Sequence, residues 1–227
     1  MPSSKAGNIE PPELSSEISA DLLCRDRARG TRSSRDSAVP PSFVGNIYQE
    51  IQRNPHVASN IVAAFASRLR ELHDSGIIHG DLTPECVLVD GLGQVFLFNA
   101  QVAFARRVKD YHTKQRVLVP VSWVYQPHEQ LMAESSDNPD GPPYCSAKGD
   151  VFAFATIIYE SFGGQLRRGR KALVQRIEAK TSMYVMARPH LLTDDRLWHL
   201  LLKSWSQDPE QRPSMREIED ALLYTSA

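Results

Sequence analysis

Residues 77–98 read IIHGDLTPECVLVDGLGQVFLF, and the fold turns on how that stretch divides. Its first half, through Glu85, is a polar loop entered from two isoleucines. In its second half CVLVD and QVFLF have the apolar, β-branched character of two short strands. Between them Asp90-Gly91-Leu92-Gly93 is a hairpin signal, because Asp and Gly tolerate the backbone angles that a tight reversal needs. Immediately upstream, Val57, Ile61, Val62, Phe65, Leu69 and Leu72 recur at i, i+3, i+4 spacing. That period predicts a helix over 56–74 with one apolar face, and Gly76 stands just past its end.

Working outward, Ile47 and Ile51 predict a short helix ending near Asn54, with order beginning near Phe43. Downstream, residues 103–122 carry Arg106, Arg107, Lys109, Lys114 and Arg116 with no period and read as loop. ESSDNPDGPPY, 134–144, is a second loop rich in Pro and Gly. Residues 150–162 are apolar nearly all round, the mark of a helix buried in the middle of a domain. Further helices are predicted over 169–180, 194–206 and 214–224. Asp208-Pro209 and Arg212-Pro213 break the chain between the last two. No internal repeat is present. The expected fold is mainly α with one small β-hairpin, formed by residues 43–227.

Composition excludes several function classes. The chain has 227 residues, a formal net charge of −1 and 41% hydrophobic residues, enough for a core. Near-neutral charge gives no concentrated basic face for nucleic acid. The apolar runs are too short to span a bilayer, so no membrane partner is expected. The N-terminus lacks a basic-then-apolar leader pattern. Cys24, Cys86 and Cys145 lie far apart without a CxxC pair, which points to a reduced, intracellular, cytoplasmic protein and to no metal site. Residues 1–42 are rich in Ser, Pro and Arg and too poor in apolar groups to offset the entropy of ordering, so a disordered tail is expected. Leu14, Ile18 and Leu22 recur every four residues there. They are either a transient docking helix or a few apolar residues in a tail.

The element order, with four motifs at matching places, resembles the C-terminal lobe of eukaryotic protein kinases. His79-Gly80-Asp81-Leu82-Thr83-Pro84-Glu85-Cys86 is similar to the catalytic loop H-R-D-L-x-x-x-N. Trp123 to Leu131, WVYQPHEQL, is similar to the W-x-x-P-E-x-L end of the activation segment. Lys148 to Phe154, KGDVFAF, resembles the start of the central buried helix. Trp205 to Pro213 fits W-x-x-D-P-x-x-R-P. The last motif and the A-F-A run after Asp150 are similar to the tyrosine-kinase-like group, including its large fungal sets. The resemblance covers roughly residues 44–224.

What the resemblance implies can be checked part by part, because phosphoryl transfer is mostly positioning and charge neutralisation. Asp81 stands at the proton-acceptor position. Cys86 replaces the metal-binding Asn, and a soft thiol suits Mg²⁺ poorly. Asn99-Ala100-Gln101 stand in place of D-F-G: the metal-binding charge, the aromatic and the hinge glycine are all changed. Thr83 stands where many Ser/Thr kinases place a phosphate-contacting lysine, and Gly80 replaces an arginine. By contrast, structural residues persist. His79 packs its ring into the core in the family, Asp150 holds the catalytic-loop backbone, and Glu129 and Arg212 match a buried ion pair. His128 stands where the family has Pro.

In the family a glycine-rich loop, a strand lysine and a helix glutamate precede this lobe over roughly 80–100 residues. Before Ile47 this sequence holds one lysine, Lys5, no GxGxxG and no strand pattern. The expectation is therefore a catalytically inactive, pseudokinase-like lobe that acts by binding a protein, either a full kinase or a regulator. No cofactor is expected. Asp81 is then a relic whose carboxylate caps its loop, and Cys86 a small buried residue. The alternative is an active or weakly active Ser/Thr kinase using ATP and Mg²⁺, its N-lobe missing from this gene model. A third reading is a decayed duplicate with no selected role.

Overall fold

The computed structural model describes residues 43–98, 100, 121–135, 145–180 and 187–223. The expected tail 1–42, with Cys24 and the Leu14–Ile18–Leu22 repeat, lies outside these residues. So do most of the two predicted loops, and Asn99 and Gln101.

Strand β1 (Phe43–Asn46) leads directly into helix α1 (Ile47–Arg53). The switch is made by a capping box. Asn46 Oδ1 accepts from the Gln49 amide at 2.9 Å while Gln49 Oε1 accepts from the Asn46 amide at 3.1 Å, satisfying two donors that the helix start leaves open. A 3-10 turn at Pro55–Val57 precedes α2 (Ala58–Asp74), which buries Ile61, Val62, Phe65, Ala66 and Leu69 on one face, as their spacing predicts. Gly76, at φ +74°, turns the chain out of the helix in the left-handed region.

Strands β2 (Val87–Asp90) and β3 (Val95–Leu97) form the predicted hairpin, with Leu88 opposite Phe96. Asp90 closes its turn by accepting from the amides of Leu92 and Gln94 at 2.9 and 2.8 Å. Strand β1 adds to β2, so the sheet has three strands in the order β1-β2-β3 rather than the two expected. Four residues ending in Gly45 and Asn46 are too short and too weak in β-propensity to show alternation. Phe43 meets Phe96 and Phe98 edge to face, each at 5.5 Å, across this sheet.

Helix α3 (His128–Ser135) was not expected; its eight residues, HEQLMAES, carry too little periodicity to stand out. A 3-10 turn, Val121–Tyr125, precedes it. Helix α4 (Ala147–Ser161) starts at Ser146, whose Oγ accepts from the Gly149 amide at 3.0 Å. Every residue from Gly149 to Tyr159 is buried, which makes α4 the centre of the core. Helices α5 (Arg170–Glu178), α6 (Asp195–Ser204) and α7 (Met215–Leu223) complete the mainly helical lobe. Helix α7 packs against α2, and α6 against α4.

Inside this core Thr156 donates to the Phe152 carbonyl at 2.9 Å and accepts from Trp205 Nε1 at 3.1 Å. Trp205 in turn meets Tyr159 and Trp198 edge to face. Thr156→Val keeps the shape but strands a buried indole N–H. It should destabilise by about 1–3 kcal/mol, and Thr156→Ser by clearly less, measured by chemical denaturation.

Candidate functional site

The polar loop 79–86 lies over the N-terminal end of α4, and Asp150 fixes it there. Asp150 is 2% exposed. Its Oδ2 accepts from the His79 amide at 2.8 Å and meets His73 Nε2 at 2.9 Å, while Oδ1 accepts from the Gly80 amide at 2.9 Å. Three contacts on one buried carboxylate in the first turn of a helix offset the cost of burying its charge.

His79 is completely buried. Its Nε2 lies 2.9 Å from the Phe98 carbonyl, and its Nδ1 accepts from the Asp81 amide at 3.4 Å. These partners select the neutral tautomer with the proton on Nε2. Burial pushes the ring below the ordinary imidazole value, partly opposed by Asp150. Gly80 adopts φ +80°, and its carbonyl accepts from Gln130 Nε2 at 3.2 Å.

Asp81 is half-buried beside this frame. The Cys86 thiol, 8% exposed, lies 3.5 Å from Thr83 Oγ1 and donates to the Asp81 carbonyl at 3.8 Å. Burial pushes its pKa up, so the group at this position is a neutral thiol. Ala100 is buried. Thus the structure brings Asp81, Thr83 and Cys86 together around one turn, Pro84–Cys86.

Glu129 and Arg212 form a two-pronged ion pair, Nη1 to Oε1 at 2.6 Å and Nη2 to Oε2 at 3.0 Å. The Arg212 side chain is fully buried, and its guanidinium lies 5.5 Å from the Phe152 ring centroid. It also donates to the carbonyls of Ser206 and Lys148. His128, at the head of α3, is pushed down by burial and by Arg176.

Sequence reasoning missed three participants. His73 braces Asp150 from α2, where it reads only as a polar residue on a helix. Gln130 holds Gly80. Arg176, 2% exposed, donates from α5 to the carbonyls of Trp123, Val124 and Gln126 and stacks near Trp123 and Phe152. Nothing in the run VQRIE distinguishes this buried arginine from a solvated one.

A polar loop clamped to a buried helix by one aspartate, followed by a hairpin and anchored by a Glu–Arg pair, defines the catalytic-loop scaffold of a protein kinase. The sequence profile described as "Protein tyrosine and serine/threonine kinase" matches residues 45–222, and the chain belongs to that family. It is 26% identical over 159 residues to Kinase suppressor of Ras B of Caenorhabditis elegans, covering 65% of this chain and 29% of that protein. It is 28% identical over 182 residues to Tyrosine-protein kinase-like otk of Drosophila mojavensis, 74% of this chain and 16% of that protein. With Serine/threonine-protein kinase ULK3 of Mus musculus it shares 27% over 165 residues, 71% of this chain and 32% of that protein. The chain thus spans less than a third of the length of each of these relatives.

Two predictions test the frame. Glu129→Ala leaves the Arg212 charge buried and should cost about 3–5 kcal/mol, whereas Glu129→Leu combined with Arg212→Met should recover most of that loss in denaturant titrations. For His79, burial lowers the folded-state value, so between the folded and unfolded values the unfolded chain binds more protons. Its contribution to stability is complete above about pH 6.5 and declines as the pH falls below that value. His128 shifts in the same sense. The loss of stability between about pH 7.5 and 5.5 should therefore shrink, without vanishing, in His79→Gln.

Proposed function

We propose that this lobe is a catalytically inactive, pseudokinase-like domain that acts by binding another protein, such as a full kinase or a regulator. The observation that carries the reading is Cys86. A buried neutral thiol, engaged with Thr83 and the Asp81 carbonyl, stands where the family uses a hard amide oxygen for metal. Soft sulfur and Mg²⁺ are poorly matched. The residues present do not fit an ATP–Mg²⁺ complex. Asn99 in place of a metal-binding aspartate adds to the same argument from sequence.

The Trp205 to Pro213 motif and the A-F-A run support a place in the tyrosine-kinase-like group of fungal type. Among the described residues no helix is long and apolar enough to cross a membrane. One observation favours a second reading, a weakly active Ser/Thr kinase that uses ATP. The loop bearing Asp81 is still held by Asp150 in the arrangement the chemistry would need.

Thermal unfolding separates the two readings. A ligand that binds only the folded state at a hundredfold excess over Kd stabilises by roughly 2.7 kcal/mol. The inactive reading expects no rise in Tm with millimolar ATP and Mg²⁺ and no phosphorylation of a generic protein substrate. A Mg²⁺-dependent rise, together with phosphorylation abolished by Asp81→Asn, would overturn it.

A further inference from the structure

Gln126 is 3% exposed, yet among the described residues neither Oε1 nor Nε2 of its amide meets a hydrogen-bond partner. Its main chain is held on both sides. The amide N–H donates to the Trp123 carbonyl at 3.2 Å, and the carbonyl accepts from the Arg176 guanidinium. The following residue, Pro127, restricts its backbone further. The side chain is therefore kept in a buried position, where a bare amide carries a desolvation penalty that folded proteins rarely leave uncompensated.

Gln126 lines a cavity of about 10 Å³ whose wall includes the polar residues Asp81, Gln130 and Asp150 and the apolar residues Leu82 and Ala153. The volume is close to the smallest that holds a water molecule, and although Leu82 and Ala153 contribute to the wall, Asp81, Gln126, Gln130 and Asp150 bring polar groups to it, as a hydrated site requires. An amide offers both a donor and an acceptor. Water matches that pair, and among the described residues no group of three or more His, Cys, Asp or Glu is placed to hold a metal ion.

We propose that this cavity binds a single water molecule, held by the Gln126 amide and by polar groups of the Gly80–Asp81 loop. The water ties the segment that enters α3 to the loop that carries Asp81. It supplements the direct Gln130-to-Gly80 bond, so the two residues on either side of the α3 start brace the same loop, one directly and one through water.

Gln126→Met separates this from a packing role. If the amide were bare, an apolar side chain of similar length would remove a buried unpaired group, and stability would hold or rise. If the amide holds a water, the substitution removes its bonds. Tm should then fall by about 2–4 °C, and the amides of residues 79–81 should exchange faster with solvent. The unsubstituted chain supplies the second readout, which stands even if the variant fails to fold. A high-resolution crystal structure should place an ordered water about 2.7–3.2 Å from the Gln126 amide. An empty cavity in that density, or a variant as stable as the unsubstituted chain or more so, overturns the proposal.

Discussion

The Asp150 carboxylate is the constraint on which this lobe depends. It sits in the first turn of the central helix and turns two backbone amides of the 79–80 loop toward itself, with His73 closing the third side. A buried charge of this kind is stable only while its partners stay in place, so one residue fixes helix α2, the loop and helix α4 relative to one another. The position of Asp81 follows from it. So does the start of the hairpin, because the loop can reach β2 only from the place where Asp150 holds it.

A second clamp works at the same, N-terminal end of α4. Arg212 joins Glu129 at the head of α3 to the carbonyls of Ser206 and Lys148, and its guanidinium lies near the Phe152 ring. Arg176 lies 5.4 Å from the same ring centroid and gathers the carbonyls before α3. Phe152 is thus flanked by two buried cations. One is neutralised by a carboxylate, and the other is directed at backbone carbonyls. Neither clamp uses the side chain of Cys86 or Thr83: one is made to the His79 and Gly80 amides and the other to Glu129 and backbone carbonyls.

This division explains what could be read from the sequence. Helices α2, α4 and α6 show themselves through apolar spacing, and the hairpin through Asp90 and its glycines, because burial and turn geometry act on local composition. Strand β1 and helix α3 are short segments fixed by partners far away in sequence, and they leave no period. At the site, Asp81, Cys86, Glu129, Asp150 and Arg212 were found through motif order. His73, Gln126 and Arg176 were not, because what distinguishes them is burial against another element rather than residue type.

Gly80 shows how a motif comparison and a backbone argument can read one residue differently. Against the family pattern it is a missing arginine, a loss. In the structure it adopts φ +80°, gives its N–H to Asp150 and accepts from Gln130 through its carbonyl. Glycine populates that region without the steric cost that a side chain would bring, so the residue suits the clamp. Cys86 is alike in kind. Its thiol is a poor partner for a hard cation, but it is small and apolar enough to be buried within the loop, where its S–H donates to the Asp81 carbonyl. Both departures from the family pattern fit the conformation of the loop. Each residue is thus accounted for by the backbone it has to fit, independently of any chemistry at the site.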